Sequence, residues 1–249
     1  MERLGRMDVN GIEYPDRERY ARQIMLEEIG EEGQARLKAA SVVVVGAGGL
    51  GSAVLLYLAA SGIGRIGIID DDRVALSNLQ RQILYTMEDI GSFKAASAAE
   101  RLKMLNPGCK TDFSIRRLTE ENAGEITEGY DLIVDAVDNL PSRYVMDEVS
   151  RKHHIPFIYG SISEFYGQVS VFNYKEGPSY TDLFPVSDYS SLRHPPVGTV
   201  GALPGVIGSI QASEAIKILL DLPHVLSGKL LMADLLKVEF RTVNIRKTN

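Results

Sequence analysis

"SVVVVGAGGLG", Ser41 to Gly51, decides the fold. An unbroken run of valines reads as a strand buried on both faces, because a strand with one wet face alternates apolar and polar residues. Gly46, Gly48 and Gly51 follow at G-x-G-x-x-G spacing, and "LLYLAASGIG" beyond them has the composition of a helix. A glycine-lined turn between strand and helix lets backbone amides approach a phosphate at the positive helix end. The next strand, "RIGIID", ends on Asp70, where a carboxylate can accept hydrogen bonds from ribose hydroxyls. Strand, turn, helix and distal acid together point to nucleotide binding. They do not separate NAD from ATP.

Outward from this unit the pattern repeats. Lys94 to Leu105 is helical in composition and stops before Asn106-Pro107, since proline cannot continue a helix. "DLIVDAVD" and "IPFIYGSI" are strands that flank a helical "SRYVMDEVSRKH". Such alternation predicts an α/β fold: a doubly wound, Rossmann-like, mainly parallel sheet covered on both faces. Past Gly160 the pattern changes. "QVSVFNY" alternates, and "KLLMADLLKVEFRTVNI" reads as two strands joined tightly near Asp234 to Lys237, which predicts an antiparallel C-terminal extension. Ile207 to Leu220 reads as a helix, and Lys175 to Pro204 as a long crossover with little regular pattern. Upstream, Asp16 to Ile29 reads as one helix with Asp16 as its candidate N-cap. The expected organisation is a single domain over 1–249. It comprises an N-terminal helical segment (1–40), a nucleotide-binding half (41–160) and the antiparallel extension with its crossover (161–249).

Composition narrows the function. The 249 residues suffice for a substantial core, and 27 basic against 33 acidic side chains leave a net charge of −6. That balance argues against broad nucleic-acid or membrane adhesion. No apolar run reaches the roughly 18 residues of a membrane span, and "MERLGRMDVN" lacks the apolar core of a signal peptide, so a cytoplasmic location is expected. Cys109 is the one cysteine, and His153, His154, His194 and His224 have no zinc-like spacing.

The segment "NLQRQILY", Asn78 to Tyr85, bears on which nucleotide is bound. A nicotinamide dinucleotide needs two phosphates neutralised, mostly by backbone. ATP attacked at its α-phosphate needs cations along the leaving pyrophosphate and usually a magnesium ion. Arg81, Lys94 and Arg22 are the available cations. Lys94 opens a helix, where the macrodipole disfavours a positive charge, and this favours a ligand-related role. Asp138, in "DAVDN", ends a strand at the carboxyl edge where open α/β sheets bind ligands. A cap for the following helix is the alternative reading, and the two roles are compatible. Asn139 beside it adds an uncharged contact.

Taken in order, "RYARQIML", "GAGGLGS", "IIDDDRVALSNLQRQ", "GSFKAASAAERLKMLNP", "DAVDN" and "GVIGSIQASEAIKIL" resemble the MoeB/ThiF/HesA group, bacterial and archaeal relatives of ubiquitin-activating enzymes. The resemblance runs from Arg19 to Arg241. It implies an adenylyltransferase that activates the C-terminal glycine carboxylate of a ubiquitin-like sulfur-carrier protein ending in Gly-Gly, for molybdopterin- or thiamin-type biosynthesis. Gly48 and Gly49 would lie against ATP and Asp70 would bind ribose. Asn78, Arg81 and Lys94 would meet the phosphates, and Asp138 would help hold Mg2+. Arg22 would reach across a homodimer interface to the neighbouring subunit's ATP.

Three other functions are compatible with parts of the sequence. An NAD-binding Rossmann oxidoreductase accounts for the glycine loop and Asp70 but leaves the cations idle. A non-catalytic module binding ATP and a protein leaves the charge set without a task. Adenylation of another carboxylate, on a peptide or a tRNA, uses the same site. In one respect the chain departs from the group. Many of its members hold zinc with two C-x-x-C pairs, and here "SYTD", Ser179 to Asp182, and "RKTN" carry no cysteine. His194 in "SSLRHPPVGT" reads as a loop histidine, and Cys109 as a turn or strand-start thiol. The purified protein is therefore expected to contain well under one equivalent of zinc, measured by atomic emission, and a chelator should leave its Tm unchanged. Stoichiometric zinc after stringent washing would contradict this.

Overall fold

The computed structural model describes residues 14–185 and 197–247. Strand β1 (Ser41–Val45) has its four valines buried. Successive side chains of a strand point to opposite faces, and the two faces meet different helices. Val42 and Val44 join Leu37 of α3 (Gly30–Ala39), Leu50 to Leu58 of α4 (Gly49–Ser61), Leu102 of α5 (Lys94–Leu105) and Ile207 of α9 (Leu203–Leu219). Val43 and Val45 join Ala123 and Ile126 of α6 (Glu120–Thr127) and Tyr144 to Val149 of α7 (Leu140–His153). This two-sided burial is what the valine run predicts.

One sheet of eight strands runs in the order β3-β2-β1-β4-β5-β6-β7-β8. Strands β2 (Arg65–Ile69), β3 (Lys110–Ser114), β4 (Leu132–Asp135) and β5 (Phe157–Ser163) continue β1 in parallel. The antiparallel part is β6 (Tyr166–Phe172), β7 (Lys229–Asp234) and β8 (Glu239–Asn244). The expected fold class is thus the observed one. The chain leaves β1 toward β2 and β3 on one side, then returns to add β4 on the other. The carboxyl ends of β1 and β4 therefore form the crevice where such sheets bind ligands.

Several local readings need correction. In place of one helix from Asp16 to Ile29 there are α1 (Tyr14–Arg19) and α2 (Ala21–Ile24), with α3 starting at Gly30. Tyr20, at the break, is buried, and Gly30 takes the left-handed φ of +58°. Asp16 lies inside α1 and pairs with Lys38 at 2.5 Å, so it caps nothing. Helix α9 begins at Leu203 rather than Ile207, with Pro204 in its first turn, where proline's missing N–H costs nothing. Within the crossover, α8 (Tyr180–Leu183) is regular. His194 and its neighbours in 186–196 lie outside the described residues. Strand β3 and helix α6 had no clear sequence signal.

At the switch point, Gly46 has φ +98°, and a methyl group there would sit 2.4 Å from the Ala136 carbonyl oxygen. A methyl on Gly51 would lie 2.2 Å from the Gly46 carbonyl oxygen. The two loops can close on each other only without side chains at these positions. Gly46→Ala combines a left-handed alanine with a backbone clash, together worth about 2–5 kcal/mol. Thermal unfolding should show Tm lowered by ~10 °C. A variant melting with the parent would mean that the loops have room to separate.

Candidate functional site

Three segments converge on the glycine loop. The first is the acid at the end of β2. Asp70 accepts the Ala47 amide at 2.7 Å and the Asp72 amide at 2.8 Å, which fixes its carboxylate under the loop. Burial pushes its pKa above the ordinary carboxylate range, opposed by the Ala47 amide and by Lys94.

The second is the excursion from Asp72 to Lys94, which carries the cations. Its neck is clasped twice. Arg73 stacks on Phe93 at 3.7 Å, and the Lys94 ammonium donates to Asp72 at 2.8 Å. Lys94 opens α5 as expected, with its side chain buried while Asp72 is mostly exposed. Inside the excursion, Tyr85 donates its hydroxyl to the Ala47 carbonyl at 2.7 Å, tying the segment to the glycine loop. Burial holds that phenol well above its ordinary range, so it remains a donor. Arg81 donates to the Ser77 carbonyl at 3.1 Å, and its Cγ lies 3.6 Å from where a Gly49 methyl would be. Asn78 spends its side-chain carbonyl oxygen on the Ala75 amide at 3.0 Å, and its side-chain nitrogen makes no hydrogen bond among the described residues.

The third is the turn after β4. The strand ends at Asp135, so Asp138 lies in the following turn and does not itself end the strand, a correction to the sequence reading. Asp135 is fully buried and pairs with Arg143 at 2.9 Å. The Arg143 guanidinium also donates to the Val137 and Gly160 carbonyls, both at 3.0 Å. Burial works against its charge, but Asp135 outweighs that and raises its pKa above the ordinary value. This buried pair holds the turn at a fixed height above the sheet. The helix cap is Asn139, whose side chain accepts the Ser142 amide at 3.0 Å, so capping is not the task of Asp138. Asp138 is exposed and makes no hydrogen bond or ion pair among the described residues.

Glycine loop, Asp70, Arg81 and Lys94 are thus brought together, with the Asp138 turn against Gly46. Arg22 is not. It is exposed on α2, and the adjacent Gln23 donates to the Ser61 carbonyl at 2.9 Å, at the far end of α4 from the glycine loop. A helix of 13 residues is roughly 20 Å long, beyond the reach of any arginine side chain. Sequence reading also passed over the Asp135–Arg143 pair and Gln82. A buried strand-end acid and a helical arginine eight positions on carry no signal until the fold pairs them.

The donors at "SYTD" do not fit zinc. Ser179 and Asp182 bond reciprocally, with Asp182 Oδ2 accepting the Ser179 amide at 2.7 Å and its hydroxyl at 2.8 Å. Cys109 is buried, and burial pushes its thiol up to about 12, far from a thiolate ligand. A single free carboxylate does fit magnesium, which takes one or two protein carboxylates plus substrate phosphates. Asp138 is such a group.

A model of the ThiF family matches residues 20–249. The sulfur carrier protein adenylyltransferase of Thermus thermophilus is 47% identical over 244 residues, covering 92% of this chain and 88% of that protein. A probable molybdopterin-synthase adenylyltransferase of Gracilaria tenuistipitata is 42% identical, covering 93% of this chain and 65% of its own length. Among solved structures, E. coli MccB with MccA-N7isoASN superposes with a TM-score of 0.82 at 22% identity, covering 92% of this chain and 73% of that one. This last likeness shows the fold. The chain belongs to the ThiF family, and it is an adenylyltransferase like the relatives it matches.

Proposed function

We propose that the chain, as a homodimer, adenylates the C-terminal glycine carboxylate of a ubiquitin-like sulfur-carrier protein ending in Gly-Gly. The observation that carries this reading is the gathering of Asp70, Arg81 and Lys94 around an open glycine loop at the switch point. The carrier's carboxylate attacks the α-phosphorus of ATP, the bond to the β-phosphate oxygen breaks, and acyl-adenylate and pyrophosphate result. The protein's work is positioning and charge stabilisation. Asp70 orients the ribose. The amides at Gly48 and Gly49 receive phosphate oxygens at the start of α4. Asn78, Arg81 and Lys94 line the phosphate chain, and Lys94 exchanges or shares its bond to Asp72 for one to a phosphate. Asn139 keeps its cap, and Asp138 would hold magnesium, whose positive charge would stabilise the departing pyrophosphate. The anhydride then awaits a sulfur donor, in a pathway of molybdopterin or thiamin type. No helix among the described residues is long and apolar enough to cross a membrane, which is compatible with work in the cytoplasm.

Arg22 completes the site from the neighbouring subunit. It lies about one helix length from its own loop, and makes no hydrogen bond or ion pair among the described residues. Met25 and Leu26 beside it are 73% and 51% exposed, apolar surface of the kind a second copy would cover.

ATP–pyrophosphate exchange tests the chemistry. It should require magnesium and a carrier with a free terminal glycine. Arg81→Ala and Asp138→Ala should each lower it by ~10²-fold, the scale of one strong transition-state contact. Near-wild-type exchange in both would sink the roles given to these residues. Subunit mixing tests Arg22. Arg22→Ala and Asp138→Ala homodimers should each be inactive, while mixed dimers regain one site built from both intact residues. If proven subunit exchange restores no activity, Arg22 does not act across an interface.

A further inference from the structure

Gln82 is 3% exposed, yet its carboxamide is unsatisfied. Its Oε1 is buried with no hydrogen-bond partner, and its Nε2 bonds to nothing among the described residues. A side-chain oxygen so deeply placed is almost always paired. The segment that carries Gln82 is nonetheless firmly held. The Gln82 amide donates to the Asn78 carbonyl at 2.9 Å, the Tyr85 amide donates to the Gln82 carbonyl at 3.2 Å, and Leu84 and Tyr85, which follow, are buried. The side chain is therefore aimed. Nε2 lies 3.5 Å from the point where a Gly48 methyl would be, and among the described residues no other atom outside the glycine's own stretch of chain lies within 4 Å of that point.

Gly48 is the N-cap of α4, a helix of 13 residues whose first amides and positive end face the same space. That helix end carries no capping side chain. An unpaired N–H2 group thus lies against the uncapped N-terminus of α4, one residue along the chain from Arg81. We propose that the Gln82 carboxamide is a ligand of the nucleotide's phosphate chain, donating from Nε2 to a phosphate oxygen above Gly48. The proposal rests on the reading that ATP occupies the glycine loop, and adds a neutral donor to the cations already placed there. A neutral donor suits this position. A further charge beside part-exposed Arg81 and buried Lys94 would repel both when the site is empty. Turning the amide over would aim a carbonyl oxygen at the phosphates, so the donor orientation is the one the ligand selects.

The test compares ATP with adenosine, which lacks the phosphates, by calorimetric titration of wild type, Gln82→Leu and Gln82→Glu. Leucine removes the unpaired amide from a buried place, so its Tm should equal or exceed that of the parent. ATP should nevertheless bind at least ~10-fold more weakly, the loss expected for one hydrogen bond to a charged group. Glutamate keeps the shape and sets a negative charge against the phosphates, so its ATP affinity should fall further. Adenosine should bind all three proteins within about twofold, since uniform binding of the nucleoside reports an intact loop and ribose site. Unchanged ATP affinity in both variants, with ATP bound by wild type, overturns the assignment of Gln82 alone. Equal losses for ATP and adenosine overturn it as well, because they mark a residue that merely supports the loop. Failure of wild type to bind ATP would overturn the reading of the site, and Gln82 with it.

Discussion

The approach of Gly46 to Ala136 is the constraint on which the site depends. Strands β1 and β4 lie side by side, and the chain leaves β1 just where it leaves β4. The Ala136 amide donates to the Val45 carbonyl at 2.8 Å, and the Gly46 amide to the Ile69 carbonyl at the same distance. Three parallel strands therefore end in one hydrogen-bonded rim. Any side chain at Gly46 would prise the rim open on the β4 side. The glycine loop can present its backbone outward because its inner surface is already spent on the neighbouring loop.

Charge is then distributed by what this rim can reach. The chain is acidic overall, at −6, but the excursion between β2 and α5 delivers Arg81 and Lys94 to the rim. Unanchored, an excursion of this length would hold its cations in no fixed place, because loop ordering costs conformational entropy. The neck supplies the anchor: Arg73 on Phe93, Lys94 on Asp72, the Val74 amide on the Ser92 carbonyl and the Gly91 amide on the Val74 carbonyl. The Tyr85 hydroxyl provides a second attachment at the far end. The exposed Asp72 neutralises Lys94 without burying a second charge, and in the proposed reaction a phosphate would take its place.

Much of this was readable in the sequence where one rule acted alone. The valine run could only be an interior strand, and Asp70 falls at the end of the next strand, as its place in the sequence predicts. Readings failed where tertiary contacts overrode local preference. Composition runs smoothly from Asp16 to Ile29, and it is the burial of Tyr20, whose hydroxyl accepts from Asn106 at 2.7 Å, that breaks the helix. Asp138 and Asn139 are adjacent residues that both suit an N-cap, and sequence cannot choose between them. The fold chooses through Asp135, which accepts the Val137 amide at 3.0 Å and so fixes where the turn begins. Gln82 was invisible for another reason: glutamines in a loop are ordinarily solvated, and burial is a property of the fold. Strand β3 has only part-buried and exposed residues, so "KTDFS" offers no apolar signal at all.

Asp147 shows how the chain manages without the thiolates that its resemblance would lead one to expect. Helix α8 has four residues, too short to sustain itself, and a helix that short needs an external tie. Asp147, fully buried on α7, supplies it. One oxygen accepts the Tyr180 amide at 2.9 Å and the Asn173 side chain at 2.9 Å, and the other accepts the Thr181 hydroxyl at 3.0 Å. Tyr180 then inserts its ring among Tyr144, Tyr159 and Phe184 at centroid distances of 4.9–5.5 Å. Arg151, half exposed, pairs with Asp147 at 3.7 Å. The carboxylate's lone pairs are thus committed to N–H and O–H donors of the chain itself. A cation would have to displace those donors, which leaves the α8 end of the crossover fixed by hydrogen bonds and ring packing.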